Sequence, residues 1–367
     1  MSDLKTRLGA KARRDPNAGR LAGPGQLLTT DVGVVEDGHD GIALGEYALE
    51  HGLLPSAQRP TVPAYIRQLW VRRHFMIAYA TARNIAMYTE AKLGQVWQVL
   101  TPLLNAGVYY LIFGELFQTS RAVNHFPAFL LLGVFVFAFT ERSIVTGSNV
   151  MRANLQLIRA LYFPRASLPL AYVIVELQQM LIGMVVVVIA MLASEQWPSW
   201  YWLMLIPIGV LQTMFNTGAA LIVARLGGAM ADVSELIPFI LRISRYFCGV
   251  MYLTYTLTYN RPDWIQRVLS LNPFAVYISL FRVAFMTTYR QDSPGNAPFN
   301  QAMCNTFLAN QGHYIPGTTT RNYSWLASCH AIVTNNDLWI AAVGWGVALF
   351  AIGIVFFWRA EHLYGRG

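Results

Sequence analysis

The run Leu338–Trp358 contains no charged residue. A helix needs about 20 such residues to cross the roughly 30 Å hydrocarbon layer of a bilayer. Inside that layer no water satisfies backbone N–H and C=O groups, so a spanning chain is confined to helices or a closed barrel. The apolar run is continuous rather than alternating, which selects a helix. Five further stretches read the same way: Val96–Phe117, Phe126–Val145, Leu168–Ala193, Trp200–Val223 and Ile237–Tyr255. The sequence therefore predicts an all-α integral membrane protein with six transmembrane helices. Composition agrees: 55% of the residues are hydrophobic and 13% charged, against roughly 25% charged in a soluble domain. That balance excludes an ordinary soluble enzyme and, over most of the length, a disordered chain.

Two shorter apolar stretches, Trp264–Leu271 and Phe274–Met286, flank Asn272-Pro273. Proline breaks the helical ladder and restrains its predecessor. Each stretch is too short to span, so the pair reads as external re-entrant helices before span six, with a helix pair lying on the interface as the alternative. Residues 1–60 are polar and hold no apolar signal-peptide core. They are expected to be a cytoplasmic tail, largely disordered. Residues 61–367 read as the transmembrane domain, with an external loop over 290–336.

Six spans put both termini on one side of the membrane, and the cations decide which. Eighteen of the 27 lie in the tail, the Thr146–Arg165 loop, the Arg225 loop and the C-terminus. The opposite side holds Arg121, Arg261, Arg267, Arg282, Arg290 and Arg321. Both termini are therefore expected in the cytoplasm. Cys304 and Cys329 then fall outside, where an oxidising compartment permits a disulfide. Cys248 lies within span five and reads as a buried apolar residue.

Catalytic and cofactor motifs do not appear in this sequence. A P-loop needs a lysine after a glycine to reach the β/γ-phosphates, and none of Lys5, Lys11 and Lys92 follows one. The seven histidines are scattered singly, and none is assigned to a metal. No nucleic-acid partner is implied.

Two segments outside the spans carry a pattern. In Pro63–Tyr79, helical periodicity puts Ile66, Leu69, Trp70 and Ile77 on one face, with Arg67 and Arg72 at its edges and Arg73 on the stripe. This resembles an amphipathic helix lying in the membrane interface. In Asn149–Tyr162, Leu155, Ile158 and Tyr162 share a face edged by Arg152 and Arg159, and Pro164 follows. Such a segment either docks in a partner groove or packs back on its own bundle.

Leu93-Gly94-Gln95-Val96-Trp97 leading to Pro102, Phe126-Pro127 leading to Gly133, Asn154-Leu155-Gln156-Leu157-Ile158, Tyr162-Phe163-Pro164-Arg165 and Leu271-Asn272-Pro273-Phe274 occur in an order that resembles ABC-2 type permeases. The likeness is to exporters of lipid-linked polysaccharides: the O-antigen, teichoic acid and mycobacterial galactan group. It runs over about residues 62–292 and span six. The chain departs from the family pattern at Arg83-Asn84 and Ala231-Asp232-Val233, where that group carries further charge. The resemblance implies a bacterial plasma-membrane homodimer served by two copies of a separate ATPase subunit. ATP and Mg would bind the ATPase, and no cofactor would bind this chain. Asn154, Leu155, Leu157, Ile158 and Arg159 would form the coupling helix on that ATPase. Arg67, Arg72 and Arg73 would meet the anionic headgroup of a polyprenyl-diphosphate substrate among the membrane lipids. The strong preference for arginine over lysine points to a high-GC source and so towards galactan. A membrane-embedded polyprenyl-phosphate glycosyltransferase and a secondary transporter are the competing classes.

Charges within spans need a reason, because an arginine at mid-bilayer costs at least roughly 2.5–3.5 kcal/mol. Glu141, Arg142, Glu176, Arg242 and Arg245 are expected to face protein or water, either paired between helices, as Glu141 with Arg245, or lining a path for sugar hydroxyls. Tyr109, Tyr110, Phe135, Phe139, Phe247, Tyr252 and Tyr255 are candidates for stacking on sugar rings along that path.

Overall fold

The computed structural model describes residues 61–89, 92–117, 125–160, 163–252, 262–286 and 335–360. Tyr162, Tyr255, the tail over 1–60, the Cys304–Cys329 pair and nearly all of the 290–336 loop lie outside the described residues. Those described belong to one compact unit, Arg59–Gly367. Every regular element among them is a helix.

The chain begins with α1 (Val62–Val71) and α2 (Arg73–Ala86). The first spanning helix is α3 (Trp97–Leu116), whose final turns from Tyr110 widen into a π-helix. Next come α4 (Phe126–Ala153), the short α5 (Leu155–Ala160) and α6 (Ser167–Ala193). A 3₁₀ turn at Trp200–Met204 leads into α7 (Leu205–Ala229). Then follow α8 (Ala231–Phe247), α9 (Asp263–Ser270), α10 (Pro273–Phe285) and α11 (Asn335–Ala360).

Among the described residues, five helices are long and apolar enough to cross a membrane: α3, α4, α6, α7 with its leading turn, and α11. The expected fifth span, Ile237–Tyr255, is not one continuous helix over its described part. Helix α8 has 17 residues and carries Asp232, Glu235, Arg242 and Arg245. It stops at Phe247, and Gly249 then takes φ 70°, a conformation open to glycine at little cost.

Helix α4 is the hub. In its most apolar window 72% of residues are buried, against 17% for α3, so α4 sits inside the bundle and α3 along its flank. Helix α7 packs between α4 and α11. A Cβ on Gly218 would lie 2.2 Å from the Leu349 carbonyl oxygen, and one on Gly353 would lie 2.4 Å from that of Gly218. The α7 and α11 backbones therefore touch. Lipid tails are as apolar as leucine, so helices associate in a bilayer through such close small-residue contacts and a few hydrogen bonds. Gln212 supplies two of these, its Nε2 donating to Val136 O at 3.0 Å and Thr140 Oγ1 at 2.9 Å on α4.

The two short helices α9 and α10 form where the sequence placed them. Asn272 caps α10 by accepting from the Phe274 N–H, with Pro273 at the first helical position. Helix α10 is buried along almost its whole length. Its Arg282 is 3% exposed and donates to the carbonyls of Gly249 and Val250 at 2.8 and 2.9 Å. Its guanidinium lies 3.4 Å from the Phe129 ring centroid. A buried arginine is tolerable when its donors are used in this way. It ties α10 to the end of α8 and the start of α4.

Helices α1 and α2 break at Arg72 and press Tyr65, Leu69, Met76 and Ala80 against the bundle. The stripe read from periodicity divides here. Leu69 faces protein, whereas Ile66, Trp70 and Ile77 are exposed. Apolar periodicity reports burial from water and does not separate a protein neighbour from a lipid one.

Candidate functional site

A cavity of about 210 Å³ opens between α3, α4 and α8. Helical spacing of four brings Thr101, Asn105 and Tyr109 to one side of α3, and all three line it. The opposite wall carries Phe137, Glu141 and Arg142 of α4 and Arg245 of α8. Arg245 donates to the Glu141 carboxylate through Nη2 and to the Tyr109 hydroxyl through Nη1, the latter at 2.6 Å. Its guanidinium also lies 5.3 Å from the Phe137 ring centroid. The expected Glu141–Arg245 pairing is therefore present, and it lies on a cavity wall.

Glu141 and Arg142 are adjacent, so α4 turns them towards different neighbours. Arg142 points to α6, where Nη1 donates to Gln179 Oε1 at 2.7 Å and Nε lies 3.8 Å from Glu176 Oε2. Glu176 is buried, and its Oε2 makes no hydrogen bond among the described residues; neither does Arg245 Nε. Polar atoms this deep are normally satisfied. Arg245 lines the cavity, and Glu176 is joined to it through Arg142, so the polar groups of α4, α6 and α8 form one connected set.

A second polar chain joins α2 to the same region. Gln98 Nε2 on α3 donates to Asn84 Oδ1 at 3.2 Å, Asn84 Nδ2 to Gln178 Oε1 at 3.3 Å, and Gln178 Nε2 to Thr81 Oγ1 at 3.0 Å. Arg83 stacks over Tyr172, 4.2 Å from its centroid. The Asn84 amide thus bridges α3 and α6.

Helix α5 differs from its sequence reading in which face is free. Asn154 is buried between α4 and α5. Its Nδ2 donates to Val150 O at 2.7 Å and to the Tyr172 hydroxyl at 2.9 Å, and its Oδ1 accepts from the Tyr79 hydroxyl at 3.0 Å. It pins α5 to α2 and α6. Ile158 is buried in a cluster with Tyr65, Leu69 and Phe163, and Leu157 packs partly against it. Leu155, at 43% exposure, and Arg159 point outward. The expected Leu155–Ile158 stripe is therefore split: Ile158 serves its own bundle, and Leu155 with Arg159 forms the available face.

The other predicted positions scatter. Arg67 and Arg72 are exposed; Arg73 donates to Trp70 O at 3.2 Å and stacks on the Trp70 ring. Arg242 and Phe247 are exposed on α8. Tyr252 donates to Tyr246 O. Phe135 and Phe139 are fully enclosed in the core and line no cavity wall here. Phe135 fills the space beside Gly183, where a Cβ would lie 2.4 Å from its ring. Of the proposed lining residues, the structure brings together Tyr109 and Arg245. The sequence reading passed over Thr101 and Asn105. Their signal is a hydroxyl and an amide in register with Tyr109 on an apolar helix.

Residues 76–286 match the family described as ABC-2 type transporter. The chain is 27% identical over 200 residues to an O-antigen export system permease protein RfbA of Klebsiella pneumoniae, covering 54% of this chain and 75% of the relative. It is 24% identical over 221 residues to the protein of that name from Myxococcus xanthus, covering 60% and 83%.

Proposed function

The chain belongs to the ABC-2 type transporter family, and on that premise we propose that it is the transmembrane subunit of an ATP-driven exporter moving a polyprenyl-diphosphate-linked polysaccharide out of a bacterial cytoplasm. Membership makes it a multi-pass transport subunit, not catalytic by itself. The relatives named as O-antigen export permeases support a glycan cargo, and galactan is the candidate glycan.

The observation that carries the reading is the cavity facing Thr101, Asn105, Tyr109, Glu141 and Arg245. Hydroxyl, amide, carboxylate and guanidinium groups exchange hydrogen bonds with successive sugar hydroxyls, and Phe137 offers an aromatic face to a sugar ring. The flanking helices α3 and α8 expose Leu104, Val108, Leu111, Phe239, Ile243 and Phe247. A second copy of this chain seated there would cover those side chains and close the cavity into a path. The end of the bundle bearing α5 faces the cytoplasm, and Leu155 and Arg159 contact a separate ATPase subunit.

Depletion of the chain in growing cells should make a lipid-linked glycan accumulate on the cytoplasmic side. Unchanged lipid-linked glycan pools would overturn the reading. Leu155→Asp should weaken co-purification with the ATPase at unchanged permease stability, since losing an interface anchor costs about 2 kcal/mol. Ile158→Asp should destabilise the permease itself.

A further inference from the structure

A second cavity, of about 660 Å³, lies between α6 and α7 and shares no lining residue with the charged one. Its wall is almost wholly apolar, including Leu177, Leu181, Met184, Val210 and Phe285. Two hydroxyls in it are turned away, Thr213 Oγ1 donating to Gly209 O and Thr217 Oγ1 to Thr213 O, each at 2.7 Å. At the α5 end it meets a third cavity of about 330 Å³ beneath α1 and α2, which shares Leu170, Ile174, Thr217 and Phe350 with it. Arg73 stands in the wall of that third cavity beside Trp70 and has no ion pair to a described residue.

The two cavities make one apolar groove with a cation at one end. Along α6 the longer cavity runs from Leu170 to Val188, about 27 Å of helix at 1.5 Å per residue. That is close to the whole hydrocarbon thickness of roughly 30 Å, whereas a phospholipid acyl chain reaches only its own half. We propose that this groove holds the isoprenoid chain of the lipid carrier, with its phosphate at Arg73, as a docking site outside the glycan path. Length argues for a chain longer than one leaflet, and Arg73 argues for an anionic head. The proposal rests on the exporter reading above.

Gly209 gives a clean probe. It lies in the groove wall, and a Cβ added there meets nothing within 4 Å, so the backbone accepts a side chain at this position and Gly209→Trp is expected to occupy the groove. Gly344 on α11 is equally open and outside the groove, so Gly344→Trp is the matched control. The full-length permease would be reconstituted in phosphatidylcholine nanodiscs doped with undecaprenyl phosphate, farnesyl phosphate or phosphatidylglycerol. Native mass spectrometry then reads bound lipid and oligomeric state together.

Wild type and Gly344→Trp should retain undecaprenyl phosphate in preference to the other two lipids. Gly209→Trp should reduce retention about tenfold or more, the effect of losing a few buried methylene contacts. Gly209→Leu should give a smaller loss, and Arg73→Gln should weaken retention of the long-chain phosphate. Equal retention of phosphatidylglycerol, with the same loss in Gly209→Trp, would overturn the proposal in favour of an ordinary phospholipid groove. Dissociation of a dimer by Gly209→Trp would overturn it in favour of a second copy. Undiminished undecaprenyl phosphate in every variant, or none in wild type, would overturn it as well. If depletion still raises the cytoplasmic lipid-linked glycan, the failure is confined to the groove; if it does not, the exporter reading fails too.

Discussion

The charged cavity and the apolar groove share no lining residue, and they are built from opposite chemistry. In the cavity, Thr101, Asn105 and Tyr109 face an ion pair made by Glu141 and Arg245. In the groove, the hydroxyls of Thr213 and Thr217 are folded back onto their own helix, leaving aliphatic and aromatic wall. The same bilayer surrounds both. Keeping polar groups in the first costs desolvation that the second avoids, so the polar wall has a use that stability alone does not supply. A glycan and its isoprenoid anchor are cargo with those same two chemistries.

The largest expected effect comes from breaking the ion pair. Arg245→Ala leaves Glu141 partly buried without its partner, and uncompensated buried charge costs about 3–5 kcal/mol. Thermal unfolding in detergent should show a marked loss, and export should stop. Exchanging the two residues, Glu141→Arg with Arg245→Glu, should restore folding. Restored export as well would mean that the pair only holds helices together.

The next effect compares one new charge at two places. Val210→Asp puts a carboxylate in the apolar groove, where insertion scales put the penalty at about 2.5–3.5 kcal/mol. Asn105→Asp adds the same group to the cavity that Arg245 also lines and should cost less. Expression level and unfolding midpoint read the difference. Equal penalties would mean that the cavity is as dry as the groove. The smallest effect on stability belongs to Thr101→Val, which should leave folding within about 0.5 kcal/mol and lower the export rate, measured as glycan appearing outside per unit of permease.

What the sequence made legible follows from what varies along it. Continuous apolar runs located α3, α6 and α11 to within a few residues, because backbone satisfaction in lipid leaves helices no alternative; α4 and α7 run on eight and six residues past the expected ends at Val145 and Val223. Span five was over-extended because the apolar residues after Cys248 read like more helix, while Gly249 at φ 70° ends it. The inward faces were the least legible. Ile66, Trp70 and Ile77 satisfy the same periodicity as Tyr65, Leu69, Met76 and Ala80, yet only the second set is buried against protein. Phe135 and Phe139 looked like path residues by type, but the missing side chain at Gly183 lets Phe135 pack inward. The Glu141–Arg245 pair was foreseeable because two opposite charges in spans have few places to go. Ile158 was visible in a helical stripe, and Asn154 only in the motif that carries the family resemblance. That they anchor α5 to its own bundle depends on Tyr79, Tyr172 and Tyr65, far away in sequence.

The contrast between a wet path and a lipid-filled groove is most directly tested by thiol accessibility. On a background with Cys248, Cys304 and Cys329 replaced, Asn105→Cys and Val210→Cys would each be exposed to a charged, water-soluble methanethiosulfonate reagent in proteoliposomes containing the ATPase. Asn105→Cys should react, and more slowly while glycan is being exported; Val210→Cys should stay unreactive throughout. A reactive Val210→Cys with a silent Asn105→Cys would contradict the account and put the aqueous path between α6 and α7.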